Sequence, residues 1–142
     1  MKTQVEIEGM GRIMELRRGE IFYIDIPKDE NDPHKQTGIR PCVVTTNDGN
    51  NRFCKRIDYV PLTSQIKKPD LPPHAILTST KCLVKESMAL CEQWGSIDKS
   101  FVKEKIGTVS EEDMFKIETA MMRQQGINVF MYIKNMKQYV TA

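Results

Sequence analysis

The sequence predicts a mainly β domain, a small antiparallel barrel or sandwich, with a helix near its C-terminus. Its 142 residues suffice for one domain with a single modest core. Short runs rich in β-branched and aromatic residues alternate with turn sequence through most of the chain. A capped amphipathic stretch comes only after these runs, so the helix is expected to follow the strands.

Several short runs carry the strand pattern. Glu20–Ile26 alternates like a half-buried strand, whereas Ile39–Thr46 is more continuously apolar and predicts a buried one. The other predicted strands are Cys54–Leu62, His74–Ser79 and Ser87–Cys91. Polar or proline-containing segments separate the runs and predict loops at Pro27–Thr37 and Ile66–Pro73 and a turn at Asn47–Asn51.

The predicted helix begins after Ser110, a hydroxyl N-cap followed by three acidic residues that suit the helix dipole. An apolar stripe at helical spacing follows and is best explained by packing in the core or at a dimer contact. Gly126 fits the C-terminal stop of this helix. One short helical turn is also predicted at Ser100–Lys105, before Gly107.

The two ends of the chain are predicted to be extensions around a domain that spans residues 16–126. Residues 1–15 are weakly patterned, and Met14 stands where a shorter chain would naturally start. We expect the first thirteen residues to be dispensable to the fold. Residues 127–142 fit strand and helix periods about equally well.

Composition indicates an ordinary globular chain in the cytoplasm, with no export signal and no segment long enough to cross a membrane. The four cysteines stand in or beside apolar runs, which favours buried reduced thiols over disulfides. They are Cys42, Cys54, Cys82 and Cys91. Their spacing, with only His34 and His74 beside them, does not form a zinc ligand set, and we expect neither metal nor cofactor.

The net charge of +2 is small, but the basic residues are clustered. They gather at Arg17–Arg18, His34–Lys35, Arg40, Arg52–Arg56 and Lys67–Lys68. Such clusters suit a nucleic-acid backbone or an acidic protein partner. A merely solvated surface explains them equally well.

The run Gly38–Pro41 is the most informative stretch for function. Gly38 permits an unusual backbone turn, and Pro41 fixes φ and belongs at the start or edge of a strand. Arg40 is held between them, permanently charged, with a fork of donors that suits a phosphate. A structural salt bridge is the alternative role for this arginine.

A second polar cluster, Pro61–Gln65, stands at the end of another predicted strand. The hydroxyls of Thr63 and Ser64 can donate to phosphate oxygens, and the alternative for Thr63 is a strand-end cap. RNA carries its own nucleophile in the 2′-OH, so cleavage needs positioning of the chain, acid and base groups and a cation. Arg40 can supply that charge and a proton.

Several segments, taken in order, resemble the MazF/PemK toxins of bacterial toxin–antitoxin pairs. They are Arg17–Tyr23, Gln36–Pro41, Pro61–Gln65, Leu71–His74, Glu92–Gln93 with Ser96–Lys99, and Lys105–Gly107. The resemblance covers about residues 16–126. It implies a partly open SH3-like barrel of the MazF/PemK/CcdB-like kind with a C-terminal helix.

The resemblance also implies a homodimeric, metal-independent endoribonuclease, an mRNA interferase that cuts single-stranded RNA at short sequences. Its expected partner is an antitoxin whose acidic disordered segment covers the RNA-binding face, because such a segment orders against a basic groove. The family's catalytic arginine and threonine match Arg40 and Thr63, with Ser64 as a third candidate.

Two further residues are candidates for an orienting or acid–base role. Glu92, with Gln93, matches an acidic–amide pair near the family's groove, and a carboxylate there can orient Arg40 or act as a base. A solvated strand end explains Glu92 equally well. His34 stands in the loop before Arg40 and is a candidate for acid–base work, although an isolated loop histidine is more often incidental.

RNA contacts are predicted around these residues. The loop 27–39 is expected to read bases, and aromatic side chains can stack on them as in other single-strand grooves. The predicted RNA-binding residues are Lys35, Gln36, Thr37, Gln65, Gln93 and Trp94, with Phe53 as a further stacking candidate. Packing at a dimer interface is an equally good explanation for Trp94.

The chain departs from the family pattern at two places. Lys35 stands where a glutamate is common, and Trp94–Gly95 replaces a common arginine after the acidic–amide pair. Both changes leave Arg40 and Thr63 untouched, so they are expected to alter the recognised sequence or the charge of the groove. Two other functions stay open: a barrel toxin that inhibits a topoisomerase by protein contact, and an RNA-binding module without cleavage.

Overall fold

The computed structural model describes residues 15–141, with side chains described through residue 137. In chain order this range contains β1 (Glu20–Ile26), β2 (Gly38–Val44), α1 (Asp48–Phe53), β3 (Arg56–Thr63), β4 (His74–Leu77), β5 (Ser87–Leu90), a 3-10 turn (Cys91–Gln93), β6 (Gly95–Asp98), a second 3-10 turn (Lys99–Phe101), β7 (Val102–Thr108), α2 (Glu111–Gln124) and α3 (Val129–Thr141). The predicted extension 1–15 lies almost wholly outside the described residues.

The strands form one antiparallel sheet in the order β4-β5-β3-β2-β1-β7, with β6 also paired to β3. The central strand β3 changes partner along its length. Its beginning pairs with β6, where Arg56 is opposite Asp98, and its end pairs with β5, where Thr63 is opposite Met88. The sheet is not closed, so the prediction of a mainly β, partly open barrel with a C-terminal helix is confirmed.

Two hydrophobic clusters use alternate residues of the same strands. Ile21 belongs to the cluster that packs against α2, whereas its neighbour Phe22 belongs to the other. This alternation follows from the two-residue period of a strand, which sends successive side chains to opposite faces. Ile117 and Met121 extend from α2 into the first cluster, so the predicted apolar stripe of this helix is core.

The prediction of a helical turn over Ser100–Lys105 is wrong for most of that range. Only a 3-10 turn forms, and from Val102 the chain is strand β7, paired with β1 at the sheet edge. Lys103 and Glu104 are exposed in this strand, so its sequence lacks the apolar alternation by which a strand is predicted. Edge strands tolerate charged side chains at such solvent-facing positions. Lys105 also forms an ion pair with Glu20 of β1.

The turn predicted at Asn47–Asn51 is instead the beginning of helix α1. The Asn47 side chain caps it by accepting from the Asn50 backbone N–H at 2.9 Å. Asn51 is buried, and its Nδ2 donates to the Thr46 carbonyl at 2.7 Å. Asparagine is common both in turns and at helix N-caps. Here the cap formed by Asn47 and the burial of Asn51 stabilise a helix.

The C-terminal region is helical. Ser110 caps α2 as predicted, its hydroxyl accepting from the Asp113 N–H at 3.0 Å, and Gly126 has φ +71° just after the helix. A second helix, α3, then occupies most of residues 127–142, whose sequence fitted the strand and helix periods about equally well. Its side chains at positions 130–137 are exposed, so α3 projects an apolar and basic surface beyond the barrel.

The cysteines are all free thiols, but only Cys42 and Cys91 are buried. The prediction of burial is wrong for Cys54, which is exposed after α1, and for the half-buried Cys82. Burial raises the pKa of Cys91 to about 12. Within residues 15–141, no helix is long and apolar enough to cross a membrane, and no cluster of three potential metal-ligating side chains occurs.

Candidate active site

A cleft of about 430 Å³ opens where β2 begins and β3 ends. Five of the predicted site residues line it, namely Arg40, Thr63, Ser64, Gln65 and Gln36. The antiparallel pairing of β2 with β3 explains this convergence. Cys42 is opposite Pro61, and the same register extended by two residues sets Arg40 opposite Thr63. Two segments that are distant in sequence thus meet at one end of the sheet.

Arg40 is half-buried and held through its Nε, which donates to the Thr37 carbonyl at 2.8 Å. Gly38, between these two residues, has φ +81°, which lies in the left-handed region. The predicted unusual backbone turn at this glycine is therefore present. Arg40 makes no ion pair within the described part of the chain. Its terminal guanidinium nitrogens are therefore available to an anionic ligand, and the alternative of a structural salt bridge is not observed there.

Thr63 is fixed by a short local hydrogen bond. Its Oγ1 accepts from the Gln65 backbone N–H at 3.1 Å, which leaves the hydroxyl hydrogen free to donate. Ser64, between them, is exposed at the cleft. The strand end therefore presents two hydroxyl donors to the cleft that Arg40 also lines.

The cleft favours an anion by its charge. Arg40 and Lys85 line it, and none of its lining residues is aspartate or glutamate. The guanidinium also acts on the neighbouring buried thiol: burial raises the pKa of Cys42, and the charge of Arg40 opposes this rise. Cations without facing carboxylates suit phosphate, for which arginine offers a bidentate fork.

Gln36 carries an unsatisfied acceptor at the cleft. Its Oε1 is buried and has no hydrogen-bond partner among the described residues. Leaving such a group without a partner costs about 1–3 kcal/mol. Gln36 lines the cleft, but its Oε1 is closed to a ligand in this conformation.

The loop between β1 and β2 is fastened by Gln93. The Gln93 Oε1 accepts from the Gln36 backbone N–H at 2.6 Å, and its Nε2 donates to the His34 carbonyl at 3.5 Å. Gln36 precedes Thr37, whose carbonyl holds Arg40. Gln93 is thus linked to the arginine through the loop backbone and lies outside the cleft lining.

Replacing Gln93 with alanine is expected to raise the amide exchange rate of Gln36 by about fivefold, because loss of one hydrogen bond of ordinary strength corresponds to about 1 kcal/mol. Hydrogen–deuterium exchange read by NMR measures this effect. Gln93→Glu, which keeps the oxygen acceptor, is the matched control and should retain most of the protection. Equal exchange in the wild type and Gln93→Ala would show that the loop is held by other contacts.

Glu92 lies outside the cleft and contacts a histidine that the sequence did not assign to the site. Its Oε1 is 3.1 Å from the His74 Nε2, and the His74 Nδ1 is 2.8 Å from the Lys68 carbonyl. Both ring nitrogens therefore face oxygen atoms, which fixes the orientation of the ring. Glu92 and His74 fasten the first 3-10 turn, from which Gln93 reaches the loop.

The other predicted residues are placed around the cleft and not in its lining. His34 is exposed, and its backbone N–H donates to Asp32. Lys35 is half-exposed beside it. Trp94 borders a separate shallow hollow that also contacts the end of α2. Phe53 is on α1, at the other end of β3 from the cleft.

Three parts of the cleft were missed by sequence reasoning. Tyr23 is 40% exposed on β1, opposite Pro41 in the strand pairing. Lys85 and the segment Cys82–Val84 form a wall from the long connection between β4 and β5. Tyr23 was detectable as the outward aromatic of an alternating strand. The wall was not, because its position depends on contacts with β7: a Cβ added at Gly107 would be 2.6 Å from the Cys82 Sγ.

Comparison with known sequences places this chain in one family. The sequence model of the PemK-like, MazF-like toxins of type II toxin–antitoxin systems matches residues 17–124. The chain is also 31% identical over 121 residues to the endoribonuclease MazF of Staphylococcus epidermidis. That alignment covers 84% of this chain and 99% of the relative.

Solved structures share the fold. MazF from Deinococcus radiodurans superposes with a TM-score of 0.69 at 18% identity, covering 80% of this chain and 99% of that one. An endoribonuclease from a mycobacterial species, solved with its cognate antitoxin, gives a TM-score of 0.67 at 19% identity over 80% and 97% of the two chains. Both are nearly fully covered, whereas about a fifth of this chain has no counterpart in them.

Proposed function

The chain belongs to the PemK-like, MazF-like toxin family of type II toxin–antitoxin systems, and we propose that its cleft cleaves single-stranded RNA, mRNA in particular, at selected sequences. The observation that carries the proposal is the meeting of Arg40 with the hydroxyls of Thr63 and Ser64 in a cleft lined by cations and no carboxylate. The 31%-identical relative is an endoribonuclease, which fits this chemistry.

In the proposed reaction the 2′-hydroxyl of the substrate gives its proton to water as its oxygen attacks the adjacent phosphorus, and the bond to the 5′-oxygen breaks as that oxygen takes a proton from water. The products are a 2′,3′-cyclic phosphate and a 5′-hydroxyl end. Arg40 stabilises the charge that develops on the phosphate oxygens, where a preorganised cation has its largest effect. Thr63 and Ser64 donate to those oxygens and hold the attacking and leaving oxygens in line.

Base selection is assigned to the loop between β1 and β2 and to the cleft wall. Gln36 lines the cleft beside the bound base, and Tyr23 offers an exposed ring for stacking. Gln65 lines the same cleft, whereas Lys35 and Thr37 flank Gln36 in the loop. Glu92 and His34 orient the loop and the neighbouring turn in this proposal, since neither side chain lines the cleft.

The proposed partners follow from the family. A cognate antitoxin is expected to cover the cleft with an acidic segment, because the cleft has cations and no opposing carboxylate, and one of the solved relatives was captured with its antitoxin. A homodimer of domains 16–126 is the proposed active form, located in the cytoplasm with the RNA it cuts. Residues 127–142 are proposed to be an addition to that domain.

Cleavage by the purified protein in excess EDTA tests the proposal. We expect discrete cuts in a long single-stranded RNA, leaving 2′,3′-cyclic phosphate and 5′-hydroxyl ends, because the nucleophile belongs to the substrate and no metal is required. Mapping both ends of each fragment measures this outcome. Failure of the folded protein to cut a varied set of RNAs would favour an RNA-binding module or a topoisomerase inhibitor, and activity lost in EDTA would contradict metal independence.

A further inference from the structure

A second surface combines an exposed aromatic ring with clustered cations, and we call it the α1 corner. It consists of Arg52, Phe53, Lys55, Arg56 and Lys99. Phe53 ends α1 with 80% of its surface exposed, and the Arg52 guanidinium carbon is 5.4 Å from the centre of its ring. A cation at this distance is attracted by the ring face, and most of the ring surface stays open to a ligand.

The cations of the α1 corner are held together by the backbone. The Lys99 N–H donates to the Lys55 carbonyl at 2.7 Å, which joins the second 3-10 turn to the start of β3. Arg56 donates through Nη2 to the Ser96 carbonyl at 2.8 Å. These contacts bring Lys55, Arg56 and Lys99 together, and the Lys99 Nζ donates to the Asn51 carbonyl of α1, which ends with Arg52 and Phe53.

Two carboxylates of the described residues lie near this group, Asp98 and Asp58. Asp98 is opposite Arg56 in the strand pairing, and its pKa is lowered by hydrogen bonds from Ser100 first and by the charges of Arg56 and Lys55 second. Asp58, two residues after Arg56 on the same face of β3, is opposite Ser96, and the four cations of the corner still outnumber these two carboxylates. Asp48, at the other end of α1, instead accepts hydrogen bonds from the Arg18 N–H and the Asn51 side chain.

The α1 corner is separate from the cleft. Arg56 begins β3 and Thr63 ends it, and seven strand steps place them about 23 Å apart. None of the five corner residues lines the cleft. A single strand bound at Arg40 therefore reaches the corner only if it continues well beyond the cleaved bond.

We propose that the α1 corner binds single-stranded RNA at a distance from the cleavage site, and so favours long substrates over short ones. This inference rests on the proposed function, which supplies the RNA. Backbone phosphates contact the cations, and a base stacks on Phe53, the combination by which proteins bind single strands without sequence preference. An acidic peptide would use the cations but has no need of the open aromatic ring.

Two RNAs with the same cut site test the proposal. One ends within two nucleotides of the site on each side, and the other extends it to about thirty nucleotides. We expect Phe53→Ala, and separately the double variant Arg52→Gln/Lys55→Gln, to lower the ratio of kcat/KM for the long RNA to that for the short RNA by about tenfold. The matched control is Arg123→Gln/Lys134→Gln, which removes two exposed cations elsewhere and should leave the ratio unchanged.

Binding separates the failure of this inference from failure of the proposed function. Anisotropy with an uncleavable thirty-nucleotide RNA, 2′-O-methylated throughout, should show about tenfold weaker binding by the corner variants even if the wild type cleaves nothing. Thermal unfolding monitors their fold. The inference would be overturned if the wild type cleaves RNA while the corner variants keep both the wild-type ratio of kcat/KM for long over short RNA and the wild-type binding. Weakened binding of a polyglutamate peptide with unchanged RNA binding would assign the corner to an acidic protein instead.

Discussion

Replacing Arg40 with alanine is expected to lower RNA cleavage by about a thousandfold while the protein stays folded. The guanidinium is the charge that the cleft places beside Thr63, and in the described part of the chain no carboxylate occupies it. Its loss removes stabilisation of the charged phosphate in the transition state, where one preorganised donor contributes a factor of about 10²–10³. A group that serves mainly catalysis should contribute little to stability.

The structural cost of removing Arg40 is limited to one hydrogen bond, from its Nε to the Thr37 carbonyl. We therefore expect a change in unfolding free energy of about 1 kcal/mol or less, measured by denaturant titration. Single-turnover cleavage measures the catalytic loss. Arg123→Ala is the matched control, since it removes an exposed arginine from the end of α2. Cleavage by Arg40→Ala at the rate of this control would refute the assignment of Arg40 to catalysis.

Arg40→Lys distinguishes charge from geometry at the same position. Lysine keeps the positive charge but loses the planar fork and the Nε that binds Thr37. We expect it to restore only part of the cleavage rate, with an intermediate loss of about tenfold to a hundredfold. Full activity in this variant would mean that the bidentate geometry and the held orientation of Arg40 contribute nothing.

The central part of the cleft could be predicted because its determinants are local. Gly38 and Pro41 fix the backbone around Arg40 by their own conformational limits, and both influences are visible in the sequence. Thr63 and Gln65 interact within one turn of chain. Antiparallel pairing of two predicted strands then suffices to bring these segments together.

The cleft wall could not be predicted because tertiary contacts decide it. Lys85 belongs to a connection without regular structure, and the sequence contains no period that orients it. Strand β7, which supports this wall through Gly107, is itself concealed by charged residues at a sheet edge. The turn predicted at Asn47–Asn51 was wrong for the same reason. Asn51 is buried by tertiary contacts, and this burial, which turn propensity does not report, accompanies helix α1.

The Asp113 carboxylate holds the segment that leads into the cleft wall formed by Cys82–Lys85. Asp113, in the first turn of α2, is fully buried, with 0% exposure. Its carboxylate accepts from the N–H groups of Thr78 and Ser79 at 3.1 and 3.0 Å and from the Thr80 hydroxyl at 2.6 Å. Residues 78–80 lead directly into the wall. This carboxylate therefore joins the helix to the segment that encloses the cleft.

Asp113→Asn is expected to lower the free energy of unfolding at pH 7 by about 3 kcal/mol, because an amide offers only one acceptor oxygen to donors that face both carboxylate oxygens. Urea titration measures this loss. Glu112→Gln is the control: Glu112 is exposed and only 3.9 Å from Lys116 across one helical turn, so its neutralisation should cost less than about 0.5 kcal/mol. A loss below about 1 kcal/mol in Asp113→Asn would show that the carboxylate does not hold the segment.

The same carboxylate makes stability depend on pH in a defined direction. Burial alone would raise the pKa of Asp113, but hydrogen bonds from Thr80, Ser79 and Thr78 and the charge of Lys116 outweigh it, so the pKa is lowered. The contribution is thus complete above the unfolded value of about 3.9 and is lost as the pH falls through the lower, folded pKa. The stability difference between the wild type and Asp113→Asn should therefore shrink below about pH 4. A difference that stays constant from pH 7 to pH 2.5 would contradict ionisation of Asp113 as its source.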